Sequence, residues 1–380
     1  METIVASANS RPSFLMFSIF VLMLLSLNGI GQIQAPSVQT GVTFQWSDTQ
    51  LVDSDPATIF SLTIDGAIYG SFAGPSAYEL TRLGPNGHSK NNIVQNGTFV
   101  NTNSANANWD ADALAAFQDK NLNHYFTSNE NGRDICSDFG AIATTDAQIQ
   151  SLYFDQGIPS NAGGVMAITD RNANNCYYIS VFGTPSGGGT EQLLGDTFVL
   201  ENTTQWGPLF NAPPAGVDYW NTGRVVENGG TLGMAIFLLD NLAPVGSTIT
   251  RVDLTASTVD HGDGKVFILQ RYAMPRTGMQ CMDFEYNGTI ADSPTIPAGS
   301  TFSLVSAPVP AGQAFTFNPD GSYTYTPDPG YVGDVVFGYQ VCLPAPNTAV
   351  CDASTVTITY KTEGCNHCSN SNADGPLLRN

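Results

Sequence analysis

The sequence predicts an all-β protein built from a large antiparallel β-sandwich or jelly-roll-like domain and a smaller Greek-key sandwich. Three observations predict this class. Apolar and aromatic runs are short and are bounded by Gly, Pro, Asn or Asp, as strands between turns are. The chain contains 38 Gly and 22 Pro, enough to form many turns. Strand-like and helix-like runs do not alternate, which disfavours a parallel α/β sheet.

The N-terminus has the pattern of an export signal. The run from Phe14 to Leu27 is apolar except for Ser18 and Ser26, and it is shorter than a membrane-spanning helix. Small residues follow, and Ala35 is the expected cleavage position. We therefore expect a secreted or cell-surface protein whose mature chain does not insert into a membrane.

The remaining chain is divided by composition into three parts. We predict a sandwich domain of unknown ligand over residues 36–278, a second domain over 281–361 and a polar tail over 362–380. The first 35 residues form the signal peptide.

The chain is strongly acidic. It has 33 Asp and Glu residues against 13 Lys and Arg, a net charge of −20. Nucleic acid and anionic membranes would be repelled by this charge, so neither is an expected partner. Neutral glycans and divalent cations such as Ca²⁺ are compatible with it.

Strand candidates in the large domain are short and rich in β-branched and aromatic residues. They are Val42–Trp46, Ile59–Ile64, Gly164–Thr169, Cys176–Phe182, Asp196–Leu200, Thr248–Leu254 and Lys265–Tyr272. One short helix is expected within Asp110–Lys120. The run Leu232–Leu239 fits a buried strand or a short helix, because periodicity alone does not separate them.

The smaller domain contains a strong hairpin signal. Phe315 to Phe317 alternates, Asn318 to Gly321 forms a turn, and Tyr323 to Thr326 alternates again. Val335–Cys342 and Thr355–Tyr360 provide two further strands, which suits a small Greek-key sandwich.

These residues resemble the signature of bacterial immunoglobulin-like or cadherin-like tandem modules. The resemblance rests on Phe315–Pro327, on Gly330–Gly333 and Phe337–Cys342, and on Cys351–Ile358. It implies an immunoglobulin-like β-sandwich of a kind found in surface and adhesion proteins. The acidic opening segment of such modules, linked to calcium in some, is reduced here to Ala291-Asp292-Ser293. Residues 36–278 loosely resemble N-terminal domains of secreted Bacteroidetes-type surface proteins, which implies no site residues.

Seven cysteines in an exported chain predict disulfides. The first expected bridge joins Cys342 to Cys351 across a hairpin. Cys136 and Cys176 are candidates for a second. Cys281 is a candidate partner for Cys365 or Cys368, because the ends of a small domain often lie close together.

No sequence motif of a known catalytic site is present. The four His residues include no HExxH pair, and no Ser lies in a GxSxG turn. The most charged segment is Asp260–Lys265. Asp260 and Asp263 there could bind a metal such as Ca²⁺ or serve acid–base chemistry, whereas the simpler interpretation is a hairpin loop with Asp263-Gly264 at its turn.

Aromatic residues suggest a binding surface. Trp109, Trp206, Tyr219 and Trp220 lie in polar segments containing Gly or Pro, and exposed rings of this kind stack on sugars. The other interpretation is that these rings fill the core.

The expected function is a secreted or cell-surface adhesion or binding protein that is not an enzyme, with a glycan or a protein as its partner. Two alternatives are a carbohydrate-binding module or carbohydrate-active enzyme, and a structural surface-layer subunit. No cofactor is firmly indicated, and Ca²⁺ is the one that the sequence allows.

Overall fold

A computed structural model describes residues 41–47, 58–82, 92–95, 98–103, 105–127, 147–199, 218–226, 230–257 and 264–362. Within these ranges the chain forms 22 strands and two short helices, which confirms the all-β class. The predicted signal peptide and most of the polar tail lie outside the described ranges. Among the described residues, no helix is long and apolar enough to span a membrane.

The first domain contains a seven-stranded antiparallel sheet. Its strands in spatial order are β1 (Val42–Trp46), β2 (Ile59–Ile64), β3 (Ala67–Ala73), β15 (Val266–Arg271), β9 (Gly164–Arg171), β13 (Gly230–Leu238) and β12 (Trp220–Val226). The ambiguous run Leu232–Leu239 is therefore mostly strand, and helix α2 (Leu239–Leu242) follows it.

A five-stranded antiparallel sheet packs against the seven-stranded sheet. Its strands in spatial order are β11 (Gln192–Val199), β10 (Tyr177–Thr184), β14 (Thr248–Ser257), β8 (Ala147–Pro159) and β4 (Ala77–Arg82). A small third sheet contains β6 (Thr98–Asn101), β5 (Asn92–Gln95) and β7 (His124–Thr127). Helix α1 (Trp109–Phe117) buries Trp109, Ala113, Ala116 and Phe117 against this end of the domain.

The strand β9 shows that the seven-stranded sheet buries side chains on both of its faces. Met166 and Ile168 point into the core shared with the five-stranded sheet, whereas Val165 and Ala167 join a second core on the opposite face. All four side chains are buried. Each large apolar side chain buried in this way contributes about 1.5–3 kcal/mol, so both faces stabilise the fold.

The second domain is a sandwich of a four-stranded and a three-stranded sheet. The first contains β16 (Arg276–Cys281), β22 (Cys351–Lys361), β21 (Gly333–Cys342) and β18 (Thr301–Val309). The second contains β17 (Tyr286–Thr289), β20 (Ser322–Thr326) and β19 (Ala314–Phe317). Strand β16 runs parallel to β22, and the other pairs are antiparallel.

The predicted hairpin between β19 and β20 is confirmed. Phe317 pairs with Tyr323, and the Gly321 amide donates to the Asn318 carbonyl at 3.0 Å. The Asp320 carboxylate accepts from the Ser322 amide and hydroxyl at 2.9 and 2.6 Å. Gly321 has a φ of +85°, which explains why glycine follows Asp320 in this turn.

The buried carboxylate of Asp352 connects the two domains. Asp352, 1% exposed, lies in β22 and accepts hydrogen bonds from Arg271 Nε at 3.2 Å and Arg271 Nη2 at 2.8 Å. The Ala273 amide donates to it at 2.8 Å and the Ile68 amide at 3.3 Å. Arg271 also donates to the Ala353 carbonyl. These bonds connect strands of the first domain to β22, so they fix the orientation of one domain on the other.

A disulfide lies next to Asp352, the residue that connects the two domains. Cys342 and Cys351 are directly opposite in the β21–β22 register and are bonded to each other, as the sequence predicted. Because Cys351 immediately precedes Asp352, the bridge holds the carboxylate in place.

We expect the substitution Asp352→Ala to lower the free energy of unfolding by roughly 3–5 kcal/mol, because it leaves the Arg271 guanidinium without its buried partner. Urea denaturation of the full chain measures this loss. The matched control is Asp292→Ala, which removes an Arg276–Asp292 pair whose carboxylate is 47% exposed and should cost less than about 1 kcal/mol. Equal losses for the two variants would contradict the assignment of the joint.

Candidate functional site

The outer face of the five-stranded sheet is the candidate site. Along β10, Ile179 and Val181 point into the core, and the alternate residues Tyr178, Ser180 and Phe182 point away from it and are partly exposed. This alternation follows from strand geometry, in which successive side chains lie on opposite faces.

Five residues form one row across this face, which we call the outer row. They are Leu193, Phe182, Arg251, Tyr153 and Ala77, one from each strand of the sheet, and each is paired with the next in the register. With neighbouring strands about 4.8 Å apart, the row is about 19 Å long.

Two register irregularities border the outer row. On β10 the pairing shifts between Val181 and Phe182 towards β11, and on β14 it shifts between Ile249 and Arg251 towards both β10 and β8. Bulges of this kind increase the local twist and re-aim side chains, and they are frequent beside binding sites. Thr250, the residue within the second shift, donates its hydroxyl to Glu191 at 2.7 Å and so orients that carboxylate.

Arg251 is the centre of the row. Its guanidinium carbon lies 4.0 Å from the centre of the Phe182 ring, a cation–π contact. Arg251 Nη1 lies 3.0 Å from Glu191 Oε1. Arg251 Nε lies 3.1 Å from Asp253 Oδ1 but lacks the alignment of a hydrogen bond. The guanidinium is therefore positioned by a cation–π contact and by ion pairs rather than by a bidentate hydrogen bond to one carboxylate.

Two further polar groups are fixed beside Arg251. The Tyr153 hydroxyl donates to Glu79 Oε2 at 3.0 Å, and burial together with this bond raises the pKa of Tyr153. Asp253 accepts from the Ser151 hydroxyl at 2.7 Å. Burial raises the pKa of Asp253 despite the opposing effects of Ser151 and Arg251. The row thus offers a protonated phenol and oriented carboxylates.

The aromatic residues chosen from the sequence lie elsewhere. Trp109, Tyr219 and Trp220 are at most 2% exposed and belong to the cores, which is the second of the two interpretations above. No ring face is available for a sugar at these three positions. Trp206 lies outside the described residues. The outer row was not predicted from the sequence, although Cys176–Phe182 was predicted as a strand and its alternation indicates an outward Phe182.

Asp260 and Asp263, the candidate metal ligands of the predicted acidic loop, lie outside the described residues. Within the described ranges, no group of three or more His, Cys, Asp or Glu residues is placed to hold a metal ion. Gly264, at the end of that loop, is described. A Cβ there would lie 1.7 Å from the Thr169 carbonyl oxygen, so close backbone approach requires glycine at this position.

Lys265, the last residue of that segment, is fully buried and completes a polar cluster. Its amine donates to the carbonyls of Ala116, Asp119 and Asn121 at 2.7, 3.0 and 3.1 Å. Asp119 Oδ1 lies 3.2 Å away. Burial lowers the pKa of Lys265 to about 8, and the Asp119 charge opposes this shift. The ammonium therefore caps the end of α1 and the turn after it.

The histidine in this cluster has both ring nitrogens occupied. His124 Nδ1 contacts the Asp119 carboxylate, and Nε2 lies 3.2 Å from Asn121 Nδ2. Burial raises the pKa of Asp119, but the His124 hydrogen bond and the Lys265 charge outweigh it and leave the pKa lowered. Both partners of the ring, Asp119 and Asn121, belong to the turn that follows α1, so the described contacts of His124 form a structural network.

The remaining predicted cysteines are partly described. Cys176 and Cys281 are each disulfide-bonded. Their candidate partners Cys136, Cys365 and Cys368 lie outside the described residues. Cys281 pairs with Lys361 in the parallel β16–β22 register, which places it near the start of the tail that carries Cys365 and Cys368.

Comparison with known proteins identifies the second domain. Residues 282–359 match the family described as a bacterial Ig domain. This confirms the immunoglobulin-like module that the resemblance implied for the C-terminal region.

No curated protein matches the chain. Among solved structures, the chain is similar to the glycoside hydrolase domain of Endo-D from Streptococcus pneumoniae at 10% identity and a TM-score of 0.18. The alignment covers 63% of this chain and 34% of that chain, so the chain spans about a third of that neighbour's length. At this TM-score the likeness bears on neither fold nor activity.

We expect Lys265→Met to change how stability depends on pH. The amine loses its proton near pH 8 in the folded protein and near pH 10.5 when unfolded. Between these two pH values the unfolded chain binds more protons than the folded protein does. Lys265 therefore makes the free energy of unfolding of the wild type rise with pH over this range. The variant lacks this contribution.

Urea denaturation of both proteins across this range measures the effect. The difference in unfolding free energy, wild type minus variant, should rise by up to about 1.4 kcal/mol per pH unit. Titrating tyrosines affect both proteins alike and cancel in the difference. A difference that stays flat above pH 8 would show that the amine is not titrating within the cluster.

Proposed function

We propose that this protein is a secreted or cell-surface binding protein that acts in adhesion and is not an enzyme. The observation that carries the proposal is a bacterial Ig domain joined to a β-sandwich through the buried Asp352 carboxylate. Bacterial Ig domains are typical of surface proteins, and a fixed joint between two β domains holds a recognition surface in a constant orientation. The partner is a glycan or a protein on a cell surface or in a matrix.

The polar chemistry of the described residues supports binding rather than turnover. The His124–Asp119 pair has no nucleophile beside it, and the Lys265 amine is already surrounded by four oxygens. Adhesion needs neither a nucleophile nor an acid–base pair. It needs a rigid scaffold and an accessible surface, and the outer row supplies such a surface.

A carbohydrate-binding role is the second candidate. The outer row favours it, because stacked planar groups flanked by carboxylates suit the ring faces and hydroxyls of sugars.

We expect the purified mature chain, residues 36–380, to bind at least one class of target on arrays of bacterial cells, glycans and matrix proteins. The same preparation should release no product from a panel of polysaccharides, because no catalytic pair is set up in the described part of the chain. Heat-denatured protein is the control for nonspecific adsorption. Sustained turnover of a polysaccharide, or no binding to any target, would contradict the proposal.

A further inference from the structure

We propose that the outer row binds a neutral, hydroxyl-rich glycan chain laid across the five strands. This inference rests on the proposed binding function and adds the place and the chemical class of the ligand.

The shape of the row suits an extended chain. It crosses the whole sheet over about 19 Å, with strands about 4.8 Å apart. Its two ends are open, since Ala77 is exposed at one end and Leu193 is 42% exposed at the other. An extended ligand can therefore pass along the row without entering a pocket.

The three central side chains of the row are planar and already held in place. Arg251 is stacked on Phe182, and Tyr153 lies on the other side of Arg251 with its hydroxyl tied to Glu79. Phenol rings stack on the apolar faces of sugars, and guanidinium groups donate to hydroxyl oxygens. Because the side chains are fixed by existing contacts, little conformational entropy is lost on binding.

The charges around the row select against acidic ligands. Glu191 and Asp253 lie against the guanidinium of Arg251, Glu79 accepts from the Tyr153 hydroxyl, and the whole chain carries −20. Uronic or sulfated glycans would meet three carboxylates along the row. Neutral hydroxyls can instead donate to the carboxylates and accept from Arg251.

A protein partner fits this surface less well. Aspartate and glutamate are depleted in protein interfaces relative to the rest of the surface. Here Glu79, Glu191 and Asp253 flank the row, and its aromatic and arginine side chains are already engaged with these carboxylates and with each other. The one large apolar side chain that is strongly exposed in the row is Leu193.

The test uses calorimetric titration of the full mature chain with neutral gluco-, manno- and galacto-oligosaccharides and with oligogalacturonate as the acidic probe. We expect binding of at least one neutral series and none of the acidic probe. Tyr153→Ala should weaken the binding at least about tenfold. Phe284→Ala removes an aromatic ring of similar size that is 41% exposed on the second domain, and it should bind as the wild type does.

A second variant covers the case in which Tyr153→Ala fails to fold. Tyr153→Phe keeps the ring and removes only the hydroxyl that positions Glu79, and we expect it to fold and to bind several-fold more weakly. Circular dichroism and thermal unfolding confirm the folded state of each variant.

The outcomes separate this inference from the proposed function. Unchanged affinity in a folded Tyr153→Ala or Tyr153→Phe variant, preference for the acidic probe, or binding to proteins alone would overturn the inference while the adhesion proposal stands. Failure to bind any glycan, cell or matrix target overturns both.

Discussion

The alternation of side chains across each strand is the constraint on which the candidate site depends. In β10, Val181 can enter the core only if its neighbour Phe182 points the other way. The described seven-stranded sheet contributes side chains from both of its faces to hydrophobic cores, as β9 illustrates. The five-stranded sheet buries one face against the seven-stranded sheet and leaves the outer row on the other face. The position of the candidate site therefore follows from which face of this sheet is buried.

The joint between the domains is the second constraint. A carboxylate with no exposure must be fully compensated. Asp352 is compensated by the Arg271 guanidinium and the Ile68 amide of the first domain and by the Ala273 amide of the segment between the domains. Separating this carboxylate from its partners would leave an uncompensated buried charge, which is strongly destabilising. The neighbouring Cys342–Cys351 bridge restrains the same end of the hairpin. These contacts therefore restrain the orientation of one sandwich on the other.

Local patterns in the sequence predicted much of the fold, and contacts between distant residues account for what was missed. The Asn318–Gly321 turn, the Val42–Trp46 strand and the hairpin disulfide were predictable because each depends on neighbouring residues. The 13-residue strand β8 was not predicted, since its polar residues Gln150 and Ser151 are buried by partners far along the chain. The outer row was not predicted because its members come from five strands, and only the register brings them together. Burial of Trp220 likewise depends on the second core, which no local pattern reveals.

We infer that the protein recognises its target with the outer face of the five-stranded sheet. Hydroxyl-radical footprinting of residues 36–380, with and without a bound neutral oligosaccharide, tests this inference most directly. We expect protection of Phe182, Tyr153 and Leu193, with no change at Phe284 on the second domain. Protection confined to other surfaces, with these three residues equally reactive in both states, would contradict it.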